Sequence, residues 1–147
     1  MKKKLSNNIE LFCFGFGLSA KYLVKLLIDK KIDFSVAGTS RSRIEFNEKE
    51  VKSFHLENEI FDKEIFEHLK NSTHILISIP PKMEDVIIKY FYDTLSNNKN
   101  LSWLGYLSST SVYGDHAGDW VIEQSETKAT SVTGLQRLEA EKKLLNT

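Results

Sequence analysis

Cysteine and proline are scarce in this chain of 147 residues, which contains one cysteine and two prolines. A lone cysteine forms no internal disulfide and supplies no cluster of thiolate ligands, so we predict no metal site. The same scarcity is typical of a reducing, cytoplasmic setting. The prolines and the seven glycines form no flexible linker, and the length suits a single domain over residues 1–147.

The chain also lacks an excess of charge of either sign and any long hydrophobic run. Twenty basic residues balance twenty acidic ones, whereas a general nucleic-acid-binding protein usually carries a basic surplus. No stretch reaches the roughly 18 consecutive apolar residues of a membrane helix. Lys2, Lys3 and Lys4 before the apolar run 9–20 mimic a secretory signal, but Glu10 interrupts that pattern. We therefore expect neither nucleic acid nor a membrane among the partners.

Hydrophobic patterns alternate between strand and helix along the chain. The predicted strands cover residues 9–14, 33–38, 51–56, 73–79 and 101–108, and the predicted helices cover 18–30, 61–69, 83–95 and 133–145. Residues 41–50 are charged and ambiguous, with a weak helix as one interpretation. Repeated βαβ units build a doubly wound, mostly parallel sheet with helices on both faces. We expect about five strands in the order 3-2-1-4-5, with a ligand crevice where the order reverses.

The strongest local signal is a G-x-G-x-x-A turn that directly follows the first strand and opens the first helix. Gly15 permits a tight turn, Gly17 lets a diphosphate approach the backbone, and Ala20 lets helix and strand pack closely. Free amides at the start of the helix favour phosphates. An ordinary glycine-rich turn is the alternative to a dinucleotide site. The predicted cofactor-binding residues here are Gly15, Phe16, Gly17, Leu18 and Ser19.

The residues after the second strand lack the acidic side chain that selects NAD. Thr39 follows Gly15 by 24 residues, at the expected position, and is followed by Ser40 and Arg41. Arginine binds phosphate through two parallel hydrogen bonds, which suits the 2′-phosphate of NADP. We therefore predict that Thr39, Ser40 and Arg41 bind the cofactor, with NADP preferred over NAD and Arg41 ahead of Arg43. A solvated charged loop is the alternative.

The fourth predicted strand ends in Ile79 and Pro80, beside the crevice. We expect the ribose on the nicotinamide side of the cofactor to pass these two residues. Termination of a strand by proline would explain the same residues without any ligand.

A hydroxyl-rich segment, residues 108–114, ends the fifth predicted strand at the same edge of the sheet. Together with the glycine turn and the segments 118–123 and 137–141, it resembles the extended, epimerase/dehydratase-like branch of the short-chain dehydrogenase/reductase superfamily. The resemblance covers nearly the whole chain, as the amino-terminal half of such an enzyme. It implies a Rossmann fold, an NAD(P) cofactor, and oxidoreductase or epimerase activity on a small metabolite or nucleotide sugar. It also implies that Ser109 is the catalytic hydroxyl.

The acid–base pair of that family, Tyr-x-x-x-Lys, is replaced in this sequence. Thr133 stands at the tyrosine position and Arg137 at the lysine position. Threonine is a far weaker acid than a phenol of pKa about 10, and arginine does not release its proton. Arg137 retains the capacity to bind a ribose or phosphate, and Tyr113 is a weak candidate for a substitute acid. A non-catalytic dinucleotide-binding regulatory or interaction module is therefore the alternative function.

Extended members of the family are about twice this length, and a carboxyl-terminal lobe supplies their substrate pocket. The resemblance thus implies a truncated chain without that lobe, weakly active or inactive alone. The fifth strand is too apolar for a solvent-exposed edge, so we expect self-association or a second polypeptide to complete the fold. Residues 78–81 also hint at a reductase of the β-hydroxyacid dehydrogenase type, a family in which the segment 109–114 has no place.

Overall fold

The computed structural model describes residues 8–79 and 86–146 of the chain. One six-stranded sheet runs through it in the order β4-β3-β2-β1-β5-β6. The strands are β1 (Ile9–Phe14), β2 (Phe34–Ser40), β3 (Lys52–Glu57), β4 (Ile60–Phe61), β5 (His74–Ile77) and β6 (Trp103–Tyr106). The helices are α1 (Leu18–Asp29), α2 (Ile65–Asn71), α3 (Tyr92–Ser96), which continues a π-helical stretch Ile87–Phe91, and α4 (Val132–Leu144).

The topology confirms the predicted doubly wound α/β fold. The five longer strands are parallel and stand in the predicted order 3-2-1-4-5. The two-residue strand β4 is an addition to that prediction and pairs antiparallel with β3 at the sheet edge. The strand order reverses between the β1–β2 and β1–β5 pairs, so a crevice opens at the carboxyl end of β1.

The central strands are buried on both faces, because helices cover both sides of the sheet. Phe12 and Phe14 of β1 belong to a core shared with α2, α3 and α4. Leu11 and Cys13, which alternate with them, belong to a second core under α1. Successive side chains of a strand point to opposite faces, so a strand of this kind is an almost continuous apolar run.

α1 buries one row of its apolar residues against the sheet and leaves another row exposed. Ala20 and Val24 are fully buried against the sheet. Leu18, Tyr22 and Leu26 form a stripe at the same helical spacing and are exposed. The small side chain of Ala20 lets the helix axis approach the sheet closely, as the glycine-turn motif predicts.

Residues 41–50 form no helix, so the interpretation of this stretch as a weak helix is wrong. Tertiary contacts hold the loop instead, because Ile44 and Phe46 pack against the core under α1. The start of the predicted helix 83–95, residues 83–85, lies outside the described residues. Within residues 8–79 and 86–146, no helix is long and apolar enough to span a lipid bilayer.

Candidate functional site

The turn after β1 places Gly15 in a conformation that suits glycine. Its φ is +86°, in the left-handed region that residues with a side chain rarely adopt. A Cβ atom at this position would lie 2.9 Å from Cγ2 of Ile79 and 3.3 Å from Oγ of Ser78. The fold itself therefore requires glycine at residue 15, because β1 turns sharply and passes close to the end of β5.

Gly17 is different, because nothing in the fold requires a glycine there. Its φ of −90° and ψ of −159° are extended backbone that any residue adopts. A Cβ atom built on Gly17 would meet no heavy atom within 4 Å. Gly17 is also the N-cap of α1, and neither a side-chain cap nor an acidic residue occupies the first turn. The first amides of α1 therefore have no side-chain cap, and amides at the start of a helix that lack one are suited to bind an anion.

Thr39 holds the glycine turn in place. The amide of Gly15 donates to Thr39 Oγ1 at 2.9 Å, and the amide of Phe16 donates to the Thr39 carbonyl at 2.9 Å. β2 continues to Ser40, beyond the predicted end at residue 38, so Thr39 is still part of the strand. Its side chain is only 1% exposed. The structure thus gives Thr39 a positioning role under the turn, while its predicted contact with a cofactor stays a prediction.

Phe16 points away from the turn and into the core under α1. Only 7% of it is exposed, and its ring meets the ring of Phe46 edge-on, with 5.8 Å between centroids. A Cβ atom on Gly38 would lie 2.8 Å from the Phe16 ring, so this glycine makes room for Phe16. The aromatic side chain within the motif therefore leaves the space above Gly17 open.

The end of β5 closes the other side of the turn. The hydroxyl of Ser78 donates to the Gly15 carbonyl at 2.9 Å, and the amide of Ser78 donates to the Phe14 carbonyl at 2.9 Å. Ile79 is buried against Gly15. The predicted site residue Pro80 lies outside the described residues. The two strand ends that flank the crevice are therefore joined by hydrogen bonds at its base.

These strand ends surround a cavity of about 430 Å³. Four of the parallel strands contribute to it, at or just beyond their carboxyl ends. Most of the predicted cofactor-binding residues line it, whereas Leu18, Ser19 and Arg137 do not. The lining residues are Gly15, Phe16, Gly17, Thr39, Ser40, Arg41, Leu56, Glu57, Asn58, Ser78 and Ile79.

Sequence reasoning missed the contribution of β3, namely Leu56, Glu57 and Asn58. No motif marks these residues. The predicted strand order does place the end of the third strand beside the second, and this was the available signal. Arg41 and Glu57 are both exposed, so the outer wall of the cavity carries one charge of each sign.

Ser109 lies in the loop after β6, outside the set of residues that line this cavity. Its Oγ accepts hydrogen bonds from the amide of Ser111 at 3.2 Å and from the Ser111 hydroxyl at 3.0 Å. In this way Ser109 caps the short 3-10 turn Thr110–Val112. Tyr113 is half-buried, and its carbonyl accepts from the amide of Lys128 at 3.1 Å. The visible contacts of both predicted catalytic residues are structural, and their catalytic roles stay predictions.

The first turn of α4 packs closely against the 3-10 turn. A Cβ atom on Gly134 would lie 2.6 Å from the Ser111 carbonyl oxygen, so only glycine fits this contact. Thr133, at the position of the family tyrosine, is exposed. The Arg137 guanidinium donates to the Leu107 carbonyl just beyond β6 and lies 5.9 Å from the ring centroid of Tyr106. Arg137 therefore sits at the carboxyl end of β6, and its contact with a cofactor stays a prediction.

Within residues 8–79 and 86–146, no group of three His, Cys, Asp or Glu side chains is arranged to hold a metal ion. The single cysteine, Cys13, is buried in β1, and burial raises the pKa of its thiol from 9.0 to about 12. A thiol with so high a pKa stays protonated near neutral pH, which makes it a poor nucleophile.

Comparison with known proteins shows the fold but not a family. No protein-family model matches the sequence, and no curated protein matches it significantly. A conserved protein of unknown function from Silicibacter pomeroyi has a similar solved structure, with a TM-score of 0.71 and 28% identity. The match covers 95% of this chain and 48% of that one.

Solved structures of short-chain dehydrogenase/reductase and epimerase proteins are similar as well. A superfamily member from Agrobacterium tumefaciens with bound NAD has a TM-score of 0.65 and 14% identity, over 93% of this chain and 44% of its own. UDP-glucuronic acid 4-epimerase from Bacillus cereus, in complex with NAD, has a TM-score of 0.67 and 15% identity, over 94% and 51%. The chain therefore has the Rossmann-type fold found in these proteins and spans about half of their length.

Proposed function

We propose that this chain is an NAD(P)-binding domain, with the diphosphate of the dinucleotide against Gly17 and the first amides of α1. The observation that carries the proposal is the geometry of Gly17. Its backbone is ordinary and no atom crowds it, so neither strain nor crowding in the fold requires glycine there. A diphosphate lying against the main chain does, because a side chain would occupy its space.

The rest of the cavity suits the adenosine half of the cofactor. Ser40 and Arg41 stand at the end of β2, where a dinucleotide fold contacts the ribose 2′ position. The end of β2 carries no carboxylate of its own to bind a free 2′-hydroxyl, and Arg41 follows it directly, so we favour NADP over NAD. Glu57 at the end of β3 is an acceptor for the amino group of an adenine.

We propose that the protein to which this domain belongs is an oxidoreductase or epimerase acting on a small metabolite or nucleotide sugar. The solved structures of similar fold include an epimerase of a UDP-sugar in complex with NAD. The loop that carries Ser109 follows β6, and β6 neighbours the crevice strand β5. Thr133 stands where the family has an acidic tyrosine, and this chain spans about half the length of the similar solved structures. We therefore expect little turnover from this chain alone.

A non-catalytic regulatory or interaction module is the second candidate. Two observations favour it: Thr133 carries no acidic proton, and the Arg137 guanidinium is engaged by the Leu107 carbonyl. The two candidates differ in turnover, not in binding. With a panel of UDP-sugars and bound NADP(H), even slow ketone formation or epimerisation above a protein-free control supports the enzyme. Cofactor binding with no turnover above that control supports the module.

The outer edge of β6 is the surface that we propose for self-association or a second polypeptide. Among the described strands β6 pairs only with β5, and Trp103 is 43% exposed. An apolar groove of about 480 Å³ lies beside it, between β6 and α4. Size-exclusion chromatography with light scattering tests this expectation. A stable monomer that remains soluble at high concentration would contradict it.

Calorimetric titration of the purified chain with NADPH and NADH tests the binding proposal. We expect the wild-type chain to bind at least one of the two, and Gly17→Val to weaken that binding by about tenfold or more, since a branched side chain fills the diphosphate space. The open surroundings of Gly17 predict that this variant still folds, with a thermal midpoint lowered by no more than a few degrees because valine is a poorer N-cap than glycine. Failure of both cofactors to bind a folded wild-type chain would defeat the proposal, as would a folded Gly17→Val chain that binds normally.

A further inference from the structure

A second cavity, of about 460 Å³, lies next to the cavity described above, at the carboxyl end of β2. The two cavities share Phe16 and Ser40. Its polar lining comes from the first turn of α1, from the last residue of β2 and from the loop after β2. These polar residues are Lys21, Ser40, Ser42, Arg43 and Glu45.

The walls of this second cavity are fixed by contacts of the loop 41–50. The amide of Ser42 donates to Ser40 Oγ at 3.3 Å, which turns the chain at the end of β2. The Phe46 ring packs against Phe16, and Glu48 forms a 2.8 Å ion pair with Lys25 of α1. The loop is therefore held against α1 before any ligand arrives, which lowers the entropic cost of binding.

The charges in this cavity favour an anion. Neither Lys21 nor Arg43 forms an ion pair or a side-chain hydrogen bond with another described residue. Glu48 is engaged by Lys25, and this contact lowers the pKa of the Glu48 carboxyl. The lining itself contains one carboxylate, that of Glu45, and two cationic side chains. Two cations beside two hydroxyls are a donor set that suits a phosphate monoester.

We propose that this second cavity holds the 2′-phosphate of NADP, with Lys21 and Arg43 as the residues that select it. The inference rests on the proposed dinucleotide function and adds a specificity site to it. The cavities meet at Ser40, which stands where a dinucleotide fold contacts the ribose 2′ position. The sequence pointed to Arg41, which lines only the first cavity, whereas the tertiary structure brings Lys21 and Arg43 together.

Titration of the full chain and four variants with NADPH and with NADH at low salt tests this inference. Lys21→Met and Arg43→Met remove the two cations. Arg41→Met tests the alternative ligand, and Lys30→Met makes the same charge change at the far end of α1. All four positions lie on the surface or at its margin, and equal thermal midpoints verify that the variants fold.

We expect NADPH to bind the wild-type chain about tenfold or more tightly than NADH. Lys21→Met and Arg43→Met should each weaken NADPH binding by about five- to tenfold and change NADH binding by less than about twofold. Lys30→Met should change neither. The preference for NADPH should shrink as salt is added, because the cations are partly exposed.

The failures of the two proposals are distinguishable. If neither cofactor binds the folded wild-type chain, the dinucleotide function is wrong and this inference fails with it. Equal binding of NADPH and NADH would overturn only the inference. The inference would also be overturned if Lys21→Met and Arg43→Met weakened NADPH and NADH binding equally. It would likewise be overturned if these two variants bound NADPH normally while Arg41→Met weakened NADPH binding alone.

Discussion

The amide of Gly15 donates a 2.9 Å hydrogen bond to the side-chain oxygen of Thr39, 24 residues further along the chain. This bond joins the turn after β1 to the end of the neighbouring strand β2. A backbone amide in a left-handed turn has no partner in the sheet ladder, and the threonine hydroxyl supplies one. The glycine turn is thus held in shape by the strand that also forms the next wall of the cavity.

Removal of this hydroxyl should destabilise the domain. Thr39→Val keeps the shape of the buried side chain but leaves the Gly15 amide without its acceptor. We expect the free energy of unfolding to fall by about 1–3 kcal/mol in urea denaturation, because the amide is partly buried. Thr133→Val is the matched control on an exposed residue and should change stability by less than about 0.5 kcal/mol. Equal effects of the two substitutions would contradict the role given to Thr39.

Gly134→Ala should destabilise the chain, against the intrinsic preference of helices for alanine. The substitution gains about 1 kcal/mol in helix propensity at an unhindered site. Here the new Cβ would lie 2.6 Å from the Ser111 carbonyl oxygen, so α4 must shift from the 3-10 turn. We expect a net loss of about 1–3 kcal/mol in thermal or urea denaturation. The control Lys142→Ala, near the exposed end of α4, should be nearly neutral, and a stabilised Gly134→Ala chain would show that the contact is absent.

Ser109 should contribute to stability through its cap. Ser109→Ala removes the acceptor of two hydrogen bonds from Ser111. We expect a loss of about 1 kcal/mol, which is typical of a removed capping side chain, measured by urea denaturation. Ser109→Asp restores an acceptor for the Ser111 amide and should recover most of that loss. If Ser109→Ala is as stable as the wild-type chain, the hydroxyl does not contribute to stability, and this result would favour its predicted catalytic role.

Cys13 should make the stability of the domain depend on pH in the alkaline range. Burial raises the pKa of this thiol from 9.0 to about 12, so the folded chain holds a proton that the unfolded chain releases. The stability linked to this group is complete below pH 9.0 and is lost as the pH rises toward about 12. The difference in unfolding free energy between wild type and Cys13→Ala should therefore shrink over this range.

Alkylation gives an independent measurement on Cys13. The native thiol should react with iodoacetamide far more slowly than the thiol of the urea-unfolded chain, because it is both buried and protonated. A native chain that reacts as fast as the unfolded one would contradict the burial of β1.

The strand order and the glycine turn could be predicted from the sequence because both depend on local patterns. β1 has the predicted bounds Ile9–Phe14, and the remaining strands differ from prediction mainly at their ends. Strand ends are set by hydrogen bonds to neighbouring strands, which no local pattern encodes. The extension of β2 to Ser40 is an example, since residues 37–40 pair with β3.

The face of α1 that packs on the sheet could not be predicted in the same way. Two apolar rows run along this helix at the same spacing, and periodicity does not rank them. The close approach at Ala20 decides the orientation, because it buries Ala20 and Val24 and leaves Leu18, Tyr22 and Leu26 exposed. The conformation of the loop 41–50 could not be predicted either, because it depends on contacts between residues distant in sequence, those of Phe46 with Phe16 and of Glu48 with Lys25.

The sequence by itself determined the α/β architecture and the location of the crevice, because alternating strand and helix patterns and a G-x-G-x-x-A turn are local and periodic. Only the tertiary structure decided which side chains surround that crevice. Leu56, Glu57 and Asn58 line the first cavity at the end of β3, and Lys21 and Arg43 both line the second. The physical reason is that parallel strands bring their carboxyl ends to one edge from distant parts of the chain, and side-chain packing then sets which groups face the ligand.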